Sequence, residues 1–409
     1  MTAVTRAASL WRHGPFMRVW AGSTVSLVGD QVTLLALPWL VFQITRSPVQ
    51  LGIVTALQGL PFLLFTLIAG VYADRWDRRI VMLTADLVRF TVLATVPLAW
   101  AFHVLTIWQL YFVAFIHGTG RVWFDVAQYA LLPGIVRSEQ LVDANSKFFT
   151  TEGASGLLGP SAGGFLVKAF GAANALVADA LSFLVSAVTI FTLPSLRAAE
   201  RPAERGWRAQ LVAGFRYMVS KRPILDNAWS LAMFIFFDQL LTGVFVYYAQ
   251  RALHLDAAQT GIVYAISGSG PLFFAPLAPM LTRRFRGGSL LLAIAFVGGP
   301  LMALYDVAPL LPKVAGMLLA GVAGGVSWGT GTIWNTITLS YRQSTIPGHL
   351  MTRVNSSLRF IGWGVGPIGA VVGGVLTTAI GVQWVIAMGA AGLFAMFLLL
   401  LLFSELKRI

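Results

Sequence analysis

The chain has 409 residues, of which 57% are hydrophobic and only 11% charged, a balance that lies outside the range of soluble globular domains. The formal net charge of +13 would suggest nucleic acid in a soluble protein, but no basic stretch is interleaved with aromatics as a nucleic-acid surface requires. The sequence has no cysteine, and its five histidines lack metal-ligand spacing, so it offers no disulfide, cofactor or metal motif.

Apolar runs of about 20 residues recur from end to end, which is the length that a helix needs to cross a bilayer. The first run follows a short basic tail and is too long for a signal-peptide core, so we expect it to be retained. The pattern predicts an all-α membrane protein with twelve transmembrane helices, over residues 17–44, 48–72, 80–101, 105–128, 141–168, 172–193, 223–250, 257–280, 287–305, 312–338, 347–377 and 381–403.

The basic residues orient these helices. With both termini in the cytoplasm, most of the 29 Lys and Arg fall in cytoplasmic loops or helix ends, as expected for a multi-pass protein of the cytoplasmic (inner) membrane. The largest such loop lies at the midpoint, and its residues Trp207, Leu211 and Phe215 share one face of a helix lying on the membrane surface. The predicted organisation is a tail (1–16), a six-helix bundle (17–193), a linker with an amphipathic helix (194–222), a second six-helix bundle (223–403) and a tail (404–409).

The two halves resemble each other. The matches fall on equivalent helices in the same order: Asp30-Gln31 with Asp238-Gln239, Arg75 with Arg283, and Gly159-Pro160 with Gly366-Pro367. A parallel duplication of six helices explains this order. The sequence therefore predicts two pseudo-symmetric bundles, an arrangement more typical of transporters than of enzymes.

The loop between helices 2 and 3 reads Gly70-Val-Tyr-Ala-Asp74-Arg75-Trp-Asp77-Arg78-Arg79, which resembles the G-x-x-x-D-R-x-x-R-R/K signature of the major facilitator superfamily. Other stretches, such as Leu27-Val-Gly29-Asp30 and Ala130-Leu-Leu-Pro133, are similar to the drug-efflux branch that contains macrolide exporters and the enterobactin exporter. The chain departs from that branch in helix 4, where Trp123-Phe-Asp125 replaces its usual F-x-P. The loop after helix 8 also lacks the acid of the signature.

The resemblance implies a gate on the cytoplasmic side, made by Gly70, Asp74, Arg75, Arg78, Arg79 and Asp125. In similar transporters the first acid meets a helix N-terminus of the opposite half, where the helix dipole stabilises it. An Asp-Arg-Asp relay of Asp74, Arg78 and Asp125 would complete the latch. The alternative is that these arginines only anchor the loop on the cytoplasmic side.

Ionisable residues at membrane depth cost about 2.5 to 3.5 kcal/mol on insertion scales, so each one is a functional hypothesis. We expect Asp30 and Asp238, near the middles of helices 1 and 7, to lie on facing walls of a central cavity and to bind protons or substrate. The alternative is that a neighbouring donor neutralises each one and that both only fix helix packing. Glu152 in helix 5 is a further candidate for a proton site.

Other polar residues have a structural interpretation. Asp86 and Arg89 are three residues apart in helix 3, and we expect a mutual ion pair. Arg121 precedes Asp125 by four residues and is expected to pair with it in the same way. We interpret His117 in helix 4 as a hydrogen-bonded packing residue.

A wall of aromatic and amide side chains is predicted from helices 1, 4, 7 and 10. Such a wall suits bulky amphipathic ligands, although aromatics are also common in ordinary helix packing. Its candidate members are Gln31, Trp39, Trp123, Phe234, Phe237, Gln239, Tyr247, Trp328, Trp334 and Asn335.

The resulting functional hypothesis is a secondary active transporter that exports an amphipathic small molecule, such as a drug, macrolide or siderophore, in exchange for protons. No phosphate-binding loop motif is present, which argues against ATP as the energy source. A lipid or lysophospholipid transporter of the same fold is the alternative. An intramembrane enzyme or a channel is disfavoured, because no catalytic set or filter-like loop recurs. The expected partners are the substrate, protons and the bilayer, with the chain acting as a monomer.

Overall fold

The computed structural model describes the backbone of residues 10–73, 76–193 and 207–408. In these ranges the chain forms 16 α-helices and no strand. The helices are α1 (Gly14–Thr45), α2 (Pro48–Ala73), α3 (Arg78–Ala101), α4 (Ile107–Ile135), α5 (Leu141–Phe170), α6 (Ala172–Phe191), α7 (Trp207–Ser220), α8 (Arg222–Thr242), α9 (Phe245–Arg251), α10 (Ala257–Phe274), α11 (Leu277–Arg284), α12 (Gly287–Val307), α13 (Lys313–Thr345), α14 (Gly348–Gly364), α15 (Gly366–Ile380) and α16 (Val382–Phe403).

Three of the predicted spans are interrupted. The seventh is divided into α8 and α9 next to Gly243, the eighth into α10 and α11, and the eleventh into α14 and α15 at Val365. The bend between α10 and α11 is 50°, and it follows Pro271 inside α10 and precedes α11 at Pro276. Because proline removes a backbone donor and clashes with the preceding turn, these two residues account for the bend.

Nine helices of the described chain are long and apolar enough to cross a membrane, and the bent pair α10 and α11 makes a tenth. α4 and α5 also have the required length, with 29 and 30 residues, but carry charged and small residues instead of a continuous apolar surface. With the interrupted helices counted as single spans and α7 as the linker, the chain order matches the twelve predicted spans.

The two halves have equivalent packing. In the first half, α1 packs on α6, and α3 packs on both α4 and α6. In the second half, α8 packs on α16, and α12 packs on both α13 and α16. Both α6 and α16 begin after a glycine with positive φ, Gly171 at 81° and Gly381 at 89°, a backbone conformation that residues with a Cβ rarely adopt.

The halves meet through two equivalent helix pairs, α2 with α15 and α5 with α10. α2 begins and α15 ends on the side of the molecule opposite to the chain termini, which we call the far side. There the backbones touch: a Cβ on Gly374 would lie 2.6 Å from the carbonyl oxygen of Pro48, and one on Gly164 would lie 2.4 Å from that of Ala257. Only glycine permits these approaches.

The linker helix α7 packs on α14 of the second half. Met218 is fully buried there with Val354 and Leu358. Of the three residues expected on its surface face, Phe215 is half exposed, and the side chains of Trp207 and Leu211 lie outside the described part of the chain.

The carboxylate of Asp226, fully buried near the start of α8, holds the C-terminal tail. One oxygen accepts hydrogen bonds from the Ser404 hydroxyl at 2.9 Å and the Glu405 backbone N–H at 2.8 Å. The other accepts from the indole of Trp229 at 3.0 Å and lies 3.1 Å from the Arg222 guanidinium. The tail is thereby fixed to the beginning of its own bundle.

Replacement of this carboxylate should release the tail. We expect Asp226→Ala to destabilise the protein by about 1 to 3 kcal/mol, since it leaves buried donors without an acceptor. Thermal unfolding in detergent and the rate of carboxypeptidase digestion measure the two effects. Ser404→Ala, which removes one donor but keeps the acceptor, should show a smaller change in both, and equal effects of the two variants would contradict this role of Asp226.

Candidate functional site

Four helices of the first half bring ionisable side chains together inside the bundle. The members, which we call the charge cluster, are Asp30 on α1, Asp86 and Arg89 on α3, His117 and Arg121 on α4, and Asp179 on α6. All except Arg121 are buried. Such a concentration of charge away from water requires mutual compensation.

Arg89 lies at the centre of the charge cluster. Its guanidinium donates to Asp30, lies 3.7 Å from Asp86, and sits over the ring of Phe183 with 3.8 Å between the guanidinium carbon and the ring centroid. The stem of the side chain passes over Gly120, where a Cβ would come within 2.5 Å of Arg89 Cγ. A glycine at position 120 is therefore needed for this arginine to reach Asp30.

His117 lies between two carboxylates. Its Nε2 is 3.4 Å from Asp30 and 3.7 Å from Asp179. The hydroxyls of Thr33 and Ser182 donate to Asp179, the latter at 3.0 Å. The imidazole therefore links the carboxylate on α1 to the carboxylate on α6.

The charges of the cluster do not cancel when its groups have their ordinary protonation. Three carboxylates face two guanidinium groups, so a neutral His117 leaves one negative charge in excess. Neither Asp86 oxygen nor His117 Nε2 has a hydrogen-bond partner within the described residues. One bound proton would balance the charge and would supply a donor to one of these acceptors.

By distance alone, Asp30, His117 and Asp179 could also hold a metal ion, because their ligand atoms lie within 4.8 Å of one another. The donor set argues against this. Arg89 is hydrogen-bonded to the Asp30 oxygen that faces His117, and the Thr33 hydroxyl occupies the Asp179 oxygen that faces it. A metal ion there would lie beside a guanidinium and compete with it, whereas a proton fits without rearrangement.

Arg121 connects the buried cluster to solvent. Its guanidinium lies 3.9 Å from Asp30 and 3.8 Å from Asp125, and its side chain is 36% exposed. Glu152 on the neighbouring α5 is exposed and near enough to Arg121 to interact electrostatically. The carboxylates of Asp125 and Glu152 therefore stand at the solvent end of a chain of polar groups that leads to Asp30.

We expected Asp30 and Asp238 on facing walls of a central cavity. Instead, each lies inside its own bundle. Asp30 contacts α3 and α4, as described above. Asp238 accepts a hydrogen bond from the Thr242 hydroxyl at 3.2 Å and lines a cavity of about 60 Å³ that is surrounded by α8, α10, α12, α13 and α16. The reason is that the halves meet through α2, α5, α10 and α15, so the polar faces of α1 and α8 are turned inward.

The predicted aromatic and amide wall is dispersed. Gln31 packs on Gly159 and Gln239 on Gly366, at equivalent places in the two halves. The other members have separate surroundings. In the first half, Trp39 is buried in the core, and Trp123 stacks on Trp76 with 5.6 Å between ring centroids. In the second half, Phe234 and Phe237 pack in the core, the ring centroid of Tyr247 lies 5.6 Å from that of Phe42, the Trp334 indole donates to Asn227 at 3.1 Å, Asn335 is exposed, and Trp328 lines the cavity beside Asp238.

The gate motif is described in part. Asp74 and Arg75 lie outside the described residues, as do the surroundings of Gly70. Asp77 caps α3 by accepting from the backbone N–H of Arg79 at 3.0 Å. The expected pair of Arg78 and Asp125 is not formed in the described part of the chain; Asp125 faces Arg121, one turn away on its own helix, and this shorter link replaces it.

An ion pair joins the halves on the far side. Lys168, at the end of α5, donates to Asp256 at 2.9 Å, and Asp256 also caps α10 by accepting from the backbone N–H of Gln259 at 2.8 Å. Partial burial acts to raise the pKa of Asp256, but the hydrogen bonds from Lys168 and Gln259 outweigh it, so the pKa lies below its ordinary value.

Sequence reasoning did not find that Asp30, Asp179, Arg89 and His117 form one cluster. It assigned Arg89 to Asp86 alone, because both lie on one helix, and treated His117 as a packing residue. The available signal was that α1, α3, α4 and α6 each carry a polar residue near mid-span. Which of these residues meet depends on helix rotation, which periodicity does not determine.

This fold, with two equivalent six-helix bundles, is that of the major facilitator superfamily of membrane transporters. Residues 5–408 match the model of the transmembrane secretion effector family. The chain belongs to this family, in the drug-efflux branch of the superfamily.

Curated relatives and solved structures agree with this assignment. The chain is 28% identical over 392 residues to the multidrug efflux pump Tap of Mycolicibacterium fortuitum, covering 91% of each protein. It is 25% identical over 354 residues to the enterobactin exporter EntS of Salmonella typhi, covering 84% of this chain and 81% of the exporter. A bacterial homologue of the iron transporter ferroportin, in an inward-facing state, has a TM-score of 0.78 at 16% identity and covers 97% of this chain and 100% of its own. The nucleoside transporter NupG has a TM-score of 0.75 at 16% identity, and the match covers 95% of this chain and 98% of NupG.

The charge cluster should show strong coupling between its members. We expect Arg89→Met to destabilise the protein by about 3 to 5 kcal/mol, because it leaves buried carboxylates without a counterion. The double variant Arg89→Met with Asp30→Asn should recover part of this loss, as thermal unfolding in detergent will measure. Lys313→Met, which removes an exposed positive charge, is the matched control and should change stability little. Additive effects of the two substitutions in the double variant would rule out the coupling.

The ion pair of Lys168 and Asp256 should contribute little to stability. The capping of α10 by Asp256 should contribute more. Asp256→Asn removes the charge but keeps a good N-cap residue, and we expect a loss of at most about 1 kcal/mol at neutral pH. Asp256→Ala also removes the cap and should cost about 0.5 to 2 kcal/mol more than Asn. Since the pKa of Asp256 is lowered, its contribution is present above the ordinary pKa of an aspartate and is lost as the pH falls through the lowered value. Unfolding midpoints across acidic pH check this, and a contribution that grows on acidification would be the wrong sign.

Proposed function

We propose that this protein is a proton-coupled antiporter of the cytoplasmic membrane that exports amphipathic small molecules by alternating access, with both termini in the cytoplasm. The single observation that carries the proposal is the charge imbalance of the buried cluster, where three carboxylates face two guanidinium groups. A site that is one proton short of neutrality, and is connected to solvent through Arg121, is suited to load and release a proton.

Protonation of the cluster would change how its helices interact. With the proton absent, the excess carboxylate attracts Arg121 inward, towards Asp30. With the proton present, the negative charge that attracts Arg121 is smaller, and its guanidinium can shift towards Asp125, which is 3.8 Å away and 39% exposed. This exchange of partners alters the attraction between α1 and α4. The cluster would therefore bind a proton more tightly in one arrangement of the bundle than in the other, as coupling requires.

The contacts between the halves support movement of one bundle against the other. The pairs α2 with α15 and α5 with α10 close the far side by backbone contact at glycines, and the ion pair of Lys168 and Asp256 lies at their rim. Two equivalent bundles that meet through two equivalent pairs can rotate about these contacts. The far side would be the external face, and its opening would release substrate.

The names of the relatives support a substrate class. Tap is named as a multidrug efflux pump and EntS as the exporter of enterobactin, and the chain aligns with both over most of its length. We therefore assign amphipathic drugs or siderophore-like compounds as substrates. We expect the monomer to be the transporting unit, because each bundle contains its own polar site.

Purified protein in proteoliposomes tests the proposal. With a pH gradient imposed, the protein should move fluorescent amphiphiles against their concentration gradient, and dissipation of the gradient should stop transport. Asp30→Asn and His117→Gln should reduce gradient-driven transport by more than tenfold while substrate exchange without a gradient continues. Asp143→Asn, an acid that is 57% exposed and pairs with Lys147 at 3.2 Å, is the control and should retain transport.

Two results would refute the proposal. Uncoupled flux that is equal with and without the gradient would indicate a facilitator or a channel. Full gradient-driven export in both Asp30→Asn and His117→Gln would show that the proton binds elsewhere.

A further inference from the structure

The cavity beside Asp238 occupies the place that Arg89 occupies in the first half. Asp30 is the seventeenth residue of α1, and Asp238 is the seventeenth of α8. Arg89 is the twelfth residue of α3, and the twelfth of α12 is Gly298, which lines the cavity. The two bundles are thus in register at the carboxylate and at the position of its cation.

The other neighbours of Arg89 have counterparts around the cavity as well. Phe183, whose ring lies under the guanidinium, is the twelfth residue of α6, and the twelfth of α16 is Leu393, which lines the cavity. The eleventh and fifteenth residues of α4, His117 and Arg121, correspond to Ala323 and Ser327 of α13, which line it too. Every basic side chain of the cluster is replaced by a small or apolar one, while the carboxylate is kept.

Asp238 consequently has a carboxylate without a built-in counterion. Within residues 10–73, 76–193 and 207–408, no basic nitrogen lies within 4.0 Å of it, and its hydrogen bond comes from Thr242. The cavity places this carboxylate among the rings of Phe245, Tyr264 and Tyr305 and the hydroxyl of Ser267. A carboxylate enclosed by aromatic rings and hydroxyls favours a cation that can donate hydrogen bonds.

The size of the cavity limits the occupant. A volume of about 60 Å³ is about four to six times the roughly 10 to 15 Å³ that one ordered water requires, so the cavity holds a few waters or one small polar group. A guanidinium or primary ammonium group fits this space, but a whole amphiphile does not. Trp328 lines the cavity and is 55% exposed, so we expect the remainder of a larger molecule to extend past its indole.

We propose that the cavity between Asp238, Tyr305 and Gly298 binds the cationic head, a guanidinium or primary ammonium group, of the transported molecule. The first half carries this cation as its own Arg89, and the second half takes it from the substrate. This inference rests on the proposed function and adds a substrate class to it: the amphiphiles that bind here carry one small cationic nitrogen group.

Binding of a matched pair of ligands tests the inference in the purified full-length protein. Benzylguanidinium and its neutral isostere benzylurea differ in charge but little in shape. By equilibrium dialysis at neutral pH, we expect benzylguanidinium to bind at least tenfold more tightly than benzylurea. Asp238→Asn should remove this preference. Asp306→Asn, an acid on α12 that does not line the cavity, is the matched control and should retain it.

A second variant supplies the cation from the protein. A Cβ on Gly298 would meet no atom closer than 3.9 Å, so the backbone there tolerates a side chain, and we expect an arginine to extend into the cavity that Gly298 lines. Gly298→Arg should reproduce the pairing of Arg89 and Asp30, abolish benzylguanidinium binding and leave the unfolding midpoint unchanged or raised. If this variant folds and still binds benzylguanidinium, the site lies elsewhere.

The remaining outcomes separate the possible failures. Displacement of benzylguanidinium by equimolar sodium would assign the cavity to an inorganic cation and overturn the proposal. Equal binding of benzylguanidinium and benzylurea would overturn it as well. If the unmodified protein exports neutral amphiphiles under the imposed pH gradient but does not bind benzylguanidinium, this inference fails and the proposed function stands. If the unmodified protein exports no amphiphile at all, the proposed function is refuted, whatever binds beside Asp238.

Discussion

The structure of the first bundle depends on the pairing of Arg89 with Asp30 between α3 and α1. Both groups are almost completely removed from water, and neither is tolerable there alone, because an unpaired charge in this environment costs several kcal/mol. The pair therefore constrains the rotation of both helices about their axes. It also explains Gly120, which leaves room for the arginine stem, and Phe183, which covers the guanidinium.

The same constraint makes the two halves different in chemistry although they share one architecture. In the first half every carboxylate of the cluster lies near a basic group that belongs to the protein. In the second half the carboxylate of Asp238 remains, but its surroundings are small and aromatic. A duplicated bundle can diverge in this way, because the fold requires the position of the carboxylate but not the source of the cation. This divergence is the basis on which we propose a proton site in one half and a ligand site in the other.

Much of the fold was predictable from the sequence, since the apolar runs gave the order of the twelve spans and the Asp-Gln repeat related the halves correctly. The breaks in the seventh, eighth and eleventh spans were not predicted, because hydropathy averages over Gly243, Pro271 and Val365 without detecting an interruption of the helix. The resemblance to the drug-efflux branch, carried by the loop and helix motifs, is confirmed by the family match.

The site was less predictable. Intramembrane acids were identified as candidates from their cost, but their partners were not, because helix rotation decides whether Asp30 faces the other half or the inside of its own bundle. His117 gave no distinguishing signal, since a packing histidine and a histidine between two carboxylates look alike in sequence. The aromatic wall was wrong as a set because aromatics also fill bundle cores, as Trp39 does here.

The glycine contacts of the far side have a consequence for the environment in which the protein works. A seal of backbone against backbone, such as that of Gly374 on Pro48, contains no ionisable group. These backbone contacts are therefore insensitive to acidity and ionic strength. Only the neighbouring ion pair of Lys168 and Asp256, among the far-side contacts described above, responds to the surrounding solution.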